Sequence, residues 1–125
     1  MTLALVLVPM MALIAYAGSA AANFSFIFGS TAAVDYDRAY KSDVGSSSGY
    51  YAQANVNSAG FNGGSIPMCV EKTNGTRITN METVSGTGSV YLYYETGSLT
   101  YNTYVDLTAR VSSGVPGGCS GVWWP

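Results

Sequence analysis

The chain has no histidine among its 125 residues. That removes the side chain most often used as a general base or metal ligand near neutral pH. Charge is scarce as well: five Lys and Arg stand against seven Asp and Glu, 10% of the chain. With a net charge of -2 there is no basic surface to attract nucleic acid or an anionic bilayer. The only cysteines are Cys69 and Cys119, and without a C-x-x-C spacing they make neither a thiol redox motif nor a zinc cage. No nucleophile–base pair can be assembled from what remains, so the reading is of a non-enzymatic protein that needs no cofactor.

What is plentiful is glycine and tyrosine, 15 and 10 residues. With so little charge, this composition suits an exported β protein better than a cytosolic enzyme or a helix bundle. The length fits one domain, and no internal repeat or linker divides it.

Residues 1–22 read separately from the rest. Leu3 to Ala17 carries no charge and runs into Gly18-Ser19-Ala20-Ala21-Ala22. A short apolar core ending in A-x-A is what signal peptidase recognises, with Ala20 and Ala22 at the key positions. Met1-Thr2 departs from the pattern in lacking Lys or Arg. The expectation is an apolar leader helix over 1–22, removed as a signal peptide to leave a secreted domain over 23–125. The alternative is retention as an anchor, the one way this chain would meet a membrane and, beside strand exchange, one of two ways it would assemble into a filament. As a span the run is short of the ~20 apolar residues required, and Pro9 interrupts it.

The longest strand signal is Gly88–Val111. Leu99, Tyr101, Thr103, Val105, Leu107, Ala109 and Val111 alternate with Thr100, Asn102, Tyr104, Asp106, Thr108 and Arg110. Upstream, Val90, Leu92 and Tyr94 alternate with Tyr91, Tyr93 and Glu95. A two-residue turn at Thr96-Gly97 would pair Tyr94 with Leu99 and Leu92 with Tyr101 and keep both apolar sets on one face. The expectation is therefore a central hairpin. Phe24, Phe26 and Phe28 form the inward face of a first strand. Residues 29–49 hold Asp35, Asp37, Arg38, Lys41 and Asp43 and read as a charged loop. Tyr50, Ala52, Ala54 and Val56 face inward on the next strand, and Ile66, Met68 and Val70 on a short strand that Pro67 puts at an edge. Asn74-Gly75 is a hairpin turn, with a weakly patterned return through Ile78, Met81 and Val84. Trp123 and Trp124 alternate across a terminal strand. The fold class that follows is all-β, a single antiparallel sandwich of roughly seven strands. A domain this small benefits from a covalent brace, and a Cys69–Cys119 disulfide is expected to tie the edge strand to the C-terminal tail.

Several motifs have a bland reading that prevails. Gly45-Ser46-Ser47-Ser48-Gly49 spells G-x-S-x-G, but with no histidine and loop-like flanks it is a linker. Asp35, Asp37 and Asp43 lack the spacing of a calcium loop, since Ala39 and Tyr40 occupy positions that need an oxygen ligand and a glycine. They read as solvated carboxylates partnered by Arg38 and Lys41. Asn23-Phe24-Ser25 and Asn74-Gly75-Thr76 match the glycosylation acceptor pattern.

The functional candidates are the outward aromatics. On the expected hairpin, Tyr91, Tyr93 and Tyr104 share one exposed face with Thr100 and Asn102. Tyrosine presents a rigid plate with a polar tip, suited to stacking on sugar rings or docking a protein. The ligand-binding set is thus Tyr91, Tyr93, Tyr104 and Asn102; the competing reading is that cross-strand tyrosines merely stabilise the sheet.

Phe24-Ser25-Phe26 just after the leader, Arg38-Ala39-Tyr40-Lys41, and the ending Ser120-Gly121-Val122-Trp123-Trp124-Pro125 resemble a loose class of small secreted proteins of Gram-positive bacteria. The chain is also similar in layout to lactococcin 972-type bacteriocins, which are secreted aromatic β-sandwiches acting at the target cell envelope. It departs from them in its two cysteines, its missing histidine and its mild acidity. The resemblance implies an extracellular sandwich and assigns no site residues. The function expected is contact with a cell-envelope polymer or surface protein through the aromatic patch. The alternatives are a bacteriocin-like or toxin-like factor, or a self-associating filament or surface-structure subunit that keeps its N-terminal helix.

Overall fold

The computed structural model describes residues 20–29, 31–42, 50–61, 65–95, 102–111 and 116–125. The leader up to Ser19, the Gly45–Gly49 linker, Asp43 and the Thr96-Gly97 turn lie outside these residues. Eight strands form: β1 (Ala22–Phe28), β2 (Ala33–Lys41), β3 (Tyr51–Phe61), β4 (Ile66–Lys72), β5 (Glu82–Val84), β6 (Gly88–Tyr93), β7 (Thr103–Val111) and β8 (Gly117–Trp124). They make two four-stranded sheets, sheet A in the order β1-β8-β3-β6 and sheet B in the order β2-β7-β4-β5. Every ladder is antiparallel.

The core between them is what the alternation implies. Phe24, Phe26, Phe28, Ala52, Ala54, Val56 and Leu92 come from sheet A, and Ile66, Met68, Val70, Val105, Leu107 and Ala109 from sheet B, all buried. Trp123 is the largest of the fully buried side chains, at 0% exposure. It has room because its partners on both neighbouring strands are alanines, Ala22 on β1 and Ala54 on β3. Large beside small is how facing positions fill a layer without overpacking.

Strand β8 lies between β1 and β3, and its backbone is squeezed there. A β-bulge shifts the β3–β8 register between Val56 and Ser58. At Gly121 a side chain would collide with the Asn55 carbonyl of β3 and meet the Phe24 ring of β1. Only a residue without Cβ allows this approach.

Four expectations are corrected. First, β6 and β7 are not a hairpin: β6 pairs with β3, Leu92 lying opposite Ala52, while β7 pairs with β2 and β4. Alternation fixes which side chains point inward, but a tight turn and a crossing to the other sheet satisfy it equally. Second, the charged stretch after Gly29 holds a strand. β2 pairs with β7 over all nine of its residues, from Ala33 opposite Val111 to Lys41 opposite Thr103. Its larger apolar residues, Val34, Tyr36 and Tyr40, point to solvent, so its pattern does not read as a core strand. Third, β4 is interior, with the three-residue β5 at the edge; Pro67 precedes the β7 ladder, which starts at Met68. Fourth, the Cys69–Cys119 bridge is absent. Both thiols are free and buried. Cys69 points outward from sheet B, towards Glu71, and Cys119 inward from sheet A. Packed sheets stand about 10 Å apart, whereas a disulfide needs Cβ atoms about 3.8 Å apart.

Hydrogen bonds in place of the disulfide hold the two sheets at their flanks. On one side β1 and β2 run beside each other, and the Ser25 amide donates to Asp37 Oδ2 at 2.7 Å. On the other, the Asn80 amide donates to the Tyr93 carbonyl, and the Glu95 amide to that of Ile78. The Asn74-Gly75 turn is as expected, with Gly75 at φ 87°. Tyr50, by contrast, is exposed at φ 52°, so the strand begins only at Tyr51.

Gly121→Ala is expected to destabilise the domain by about 1–3 kcal/mol or more, since rigid backbone must move. Gly86→Ala, with nothing within 4 Å of the new carbon, should stay within about 0.5 kcal/mol of the parent. Urea melts of the two variants make the comparison; equal behaviour would contradict the close approach of β3 and β8.

Candidate functional site

The two outer faces have opposite chemistry. The four strands of sheet A contain no Asp, Glu, Lys or Arg. On its outer side Trp124, Gln53 and Tyr91 stand in one row across β8, β3 and β6, with Tyr51 and Tyr93 paired in the adjoining row. The Tyr51 ring meets Tyr91 edge-on at 5.1 Å between centroids and Tyr93 at 5.7 Å. Tyr91 and Tyr93 remain 41% and 51% exposed. Amides and hydroxyls continue the surface: Gln53 Nε2 donates to Asn55 Oδ1 at 2.9 Å, and Ser89 Oγ to the same oxygen at 3.0 Å.

Sheet B presents ion pairs. Arg38 grips Asp106 through Nε and Nη2 at 2.7 and 3.1 Å, and Arg110 reaches Glu71 Oε1 through the same two nitrogens at 3.0 and 2.6 Å. Glu71 and Asp106 are direct cross-strand partners. Like charges so placed repel, and here each carboxylate, its side chain 8% exposed, has an arginine of its own. Each arginine is held firmly protonated, first by the hydrogen bond to its partner. Arg38 therefore partners Asp106 rather than Asp35 or Asp37, and Asp37 is taken by the β1 clasp. No group of three or more potential metal ligands occurs among the described residues.

The expected patch divides between these faces. Tyr91 and Tyr93 lie on sheet A. Tyr104 lies on sheet B against Tyr40, centroids 5.2 Å apart, and Asn102 sits exposed just before β7 at φ 52°. In their place sheet A brings Tyr51, Gln53 and Trp124 beside Tyr91 and Tyr93. The outward direction of Tyr51 is readable from the β3 alternation; its position next to β6 is not, because that pairing joins strands distant in sequence.

Comparison with models of known families, with curated proteins and with solved structures finds no match.

The cysteines are chemically quiet. Burial, reinforced by the Glu71 charge, pushes the Cys69 thiol up to about 11, with Arg110 and Arg77 opposing. Burial alone takes Cys119 to about 11. A folded value above the ordinary 9.0 means the fold favours the neutral thiol. That contribution to stability is complete below pH 9.0 and is lost as pH rises from there to about 11. Native protein at pH 8 should resist iodoacetamide and take two labels once unfolded, and its melting temperature should fall across that alkaline window. An intact mass about 2 Da low, restored by reductant, would contradict the free thiols.

Proposed function

We propose that this is an exported, non-enzymatic binding domain that docks the outer face of sheet A on an uncharged cell-envelope polymer or surface protein. The observation that carries the reading is the coincidence of Tyr51, packed against both Tyr91 and Tyr93, with Trp124 on a sheet whose strands hold no charged residue. Rings already braced against one another lose little conformational freedom on binding. Neighbouring strands are about 4.8 Å apart and alternate residues about 7 Å apart along a strand, a spacing that offers flat area for one or two sugar rings or an aromatic anchor. An uncharged ligand also fits energetically, because the strands of this sheet carry no ionic group that has to lose its water. Assembly by strand exchange is less well supported, since both flanks are clasped.

Changing Tyr91 and Tyr93 together to Ser is expected to weaken binding to purified Gram-positive cell walls by about tenfold or more. Because both rings are half exposed, the melting temperature should drop by only a few degrees. Tyr40 and Tyr104 changed together to Ser serve as the opposite-face control and should bind as the parent does. Undiminished binding by the Tyr91/Tyr93 variant, or an equal loss in the control, would refute the assignment.

A further inference from the structure

Beyond β6, where sheet A meets β5 of sheet B, the surface dips into a groove of about 320 Å³ lined by Glu82, Thr83, Ser89, Val90, Tyr91 and Tyr93. A recess of about 160 Å³ along the β5–β6 connection shares Thr83, Ser89 and Val90 with it, and the cleft consists of these two adjoining depressions. Glu82 is the only charged residue in that lining.

Its carboxylate is held in place by the strand that carries the rings. The Tyr93 amide donates to Asn80 Oδ1 at 2.7 Å, and the Asn80 amide returns a bond to the Tyr93 carbonyl at 3.1 Å. Asn80 Nδ2 then donates to Glu82 Oε1 at 2.7 Å. Oε2 has no hydrogen-bond donor among the described residues. A single relay thus fixes an acceptor oxygen beside two exposed aromatic rings, and the rest of the lining offers hydroxyls.

We infer that the cleft is a subsite for a neutral glycan chain, in which Glu82 Oε2 accepts hydrogen bonds from adjacent free hydroxyls while Tyr91 and Tyr93 pack against the sugar. The inference rests on the reading of the tyrosine face as the binding face, and narrows its partner from polymer or protein to carbohydrate. A carboxylate acceptor answers hydroxyl donors and repels phosphate or uronate polymers. A protein anchor would call for an apolar pocket, and the lining offers only Val84 and Val90 as aliphatic residues, the first of them buried.

The test is calorimetric titration of the whole chain. The probes are neutral hexaoses of glucose, galactose, mannose and N-acetylglucosamine, with poly(glycerol phosphate) and hexalysine as charged comparisons. At least one neutral hexaose should bind and poly(glycerol phosphate) should not. Glu82→Gln keeps the shape and the bond from Asn80 but turns a donor towards the ligand, and should cost about tenfold in affinity with the melting temperature unchanged. Failure of every neutral hexaose, or binding of hexalysine alone, would overturn the inference. Parental affinity in Glu82→Gln together with loss in the Tyr91/Tyr93 variant would remove the cleft from the account and leave the tyrosine face. Parental affinity in both would remove both.

Discussion

Sheet A depends on β8. The last strand in the sequence is interior in space, and neither β1 nor β3 has another ladder on the side it fills. Its fit is tight in two senses. Gly121 lets the bulged β3 backbone and the Phe24 ring close over it, and Trp123 drops into the space left by Ala22 and Ala54. With Trp123 fixed inward, Trp124 must face outward, and it does so in the row that holds Gln53 and Tyr91. The aromatic face is therefore a consequence of how the core is filled, since the same alternation sets both.

The second constraint is where charge goes. Sheet A carries none in its strands, while sheet B opposes Glu71 to Asp106 and gives each an arginine. Exposed ion pairs contribute little, but here the carboxylates are almost covered, so removing one arginine would strand a nearly buried charge. Cys69 and Thr108 lie under the same network, each hydrogen-bonded to Glu71. The result is a domain with one ionic face and one face of rings, amides and hydroxyls, and only the second suits an uncharged surface.

How much of this was legible in the sequence depends on the range of the interaction involved. The inward sets Phe24-Phe26-Phe28, Ile66-Met68-Val70 and Val105-Leu107-Ala109 follow from period two alone and are correct, as are the two-sheet class and the turn at Asn74-Gly75. Strand neighbours do not follow. The chain passes from one sheet to the other after β1, β2, β3, β5, β6 and β7, so adjacency in sequence misleads, and the expected Leu92–Tyr101 hairpin gives way to a Leu92–Ala52 pair. That single difference moves Tyr104 and Asn102 away from Tyr91 and Tyr93 and brings in Tyr51 and Trp124. β2 does not read as a strand because its inward positions include Asp35, Asp37 and Lys41 while Tyr36 and Tyr40 face water. Cysteine count and small size suggest a disulfide, and strand parity decides against it. Glu82 gave no signal, because its placement rests on Asn80 clasping a strand of the other sheet.

The separation of β6 from β7 is the point on which the tyrosine face, the cleft and the two-faced charge pattern all rest. Proton NMR on uniformly labelled protein reads it directly through cross-strand Hα–Hα and amide contacts. Such contacts are expected between residues 51–56 and 88–93 and between residues 68–72 and 105–109. Backbone contacts of the same kind between residues 88–93 and 103–111 would contradict it.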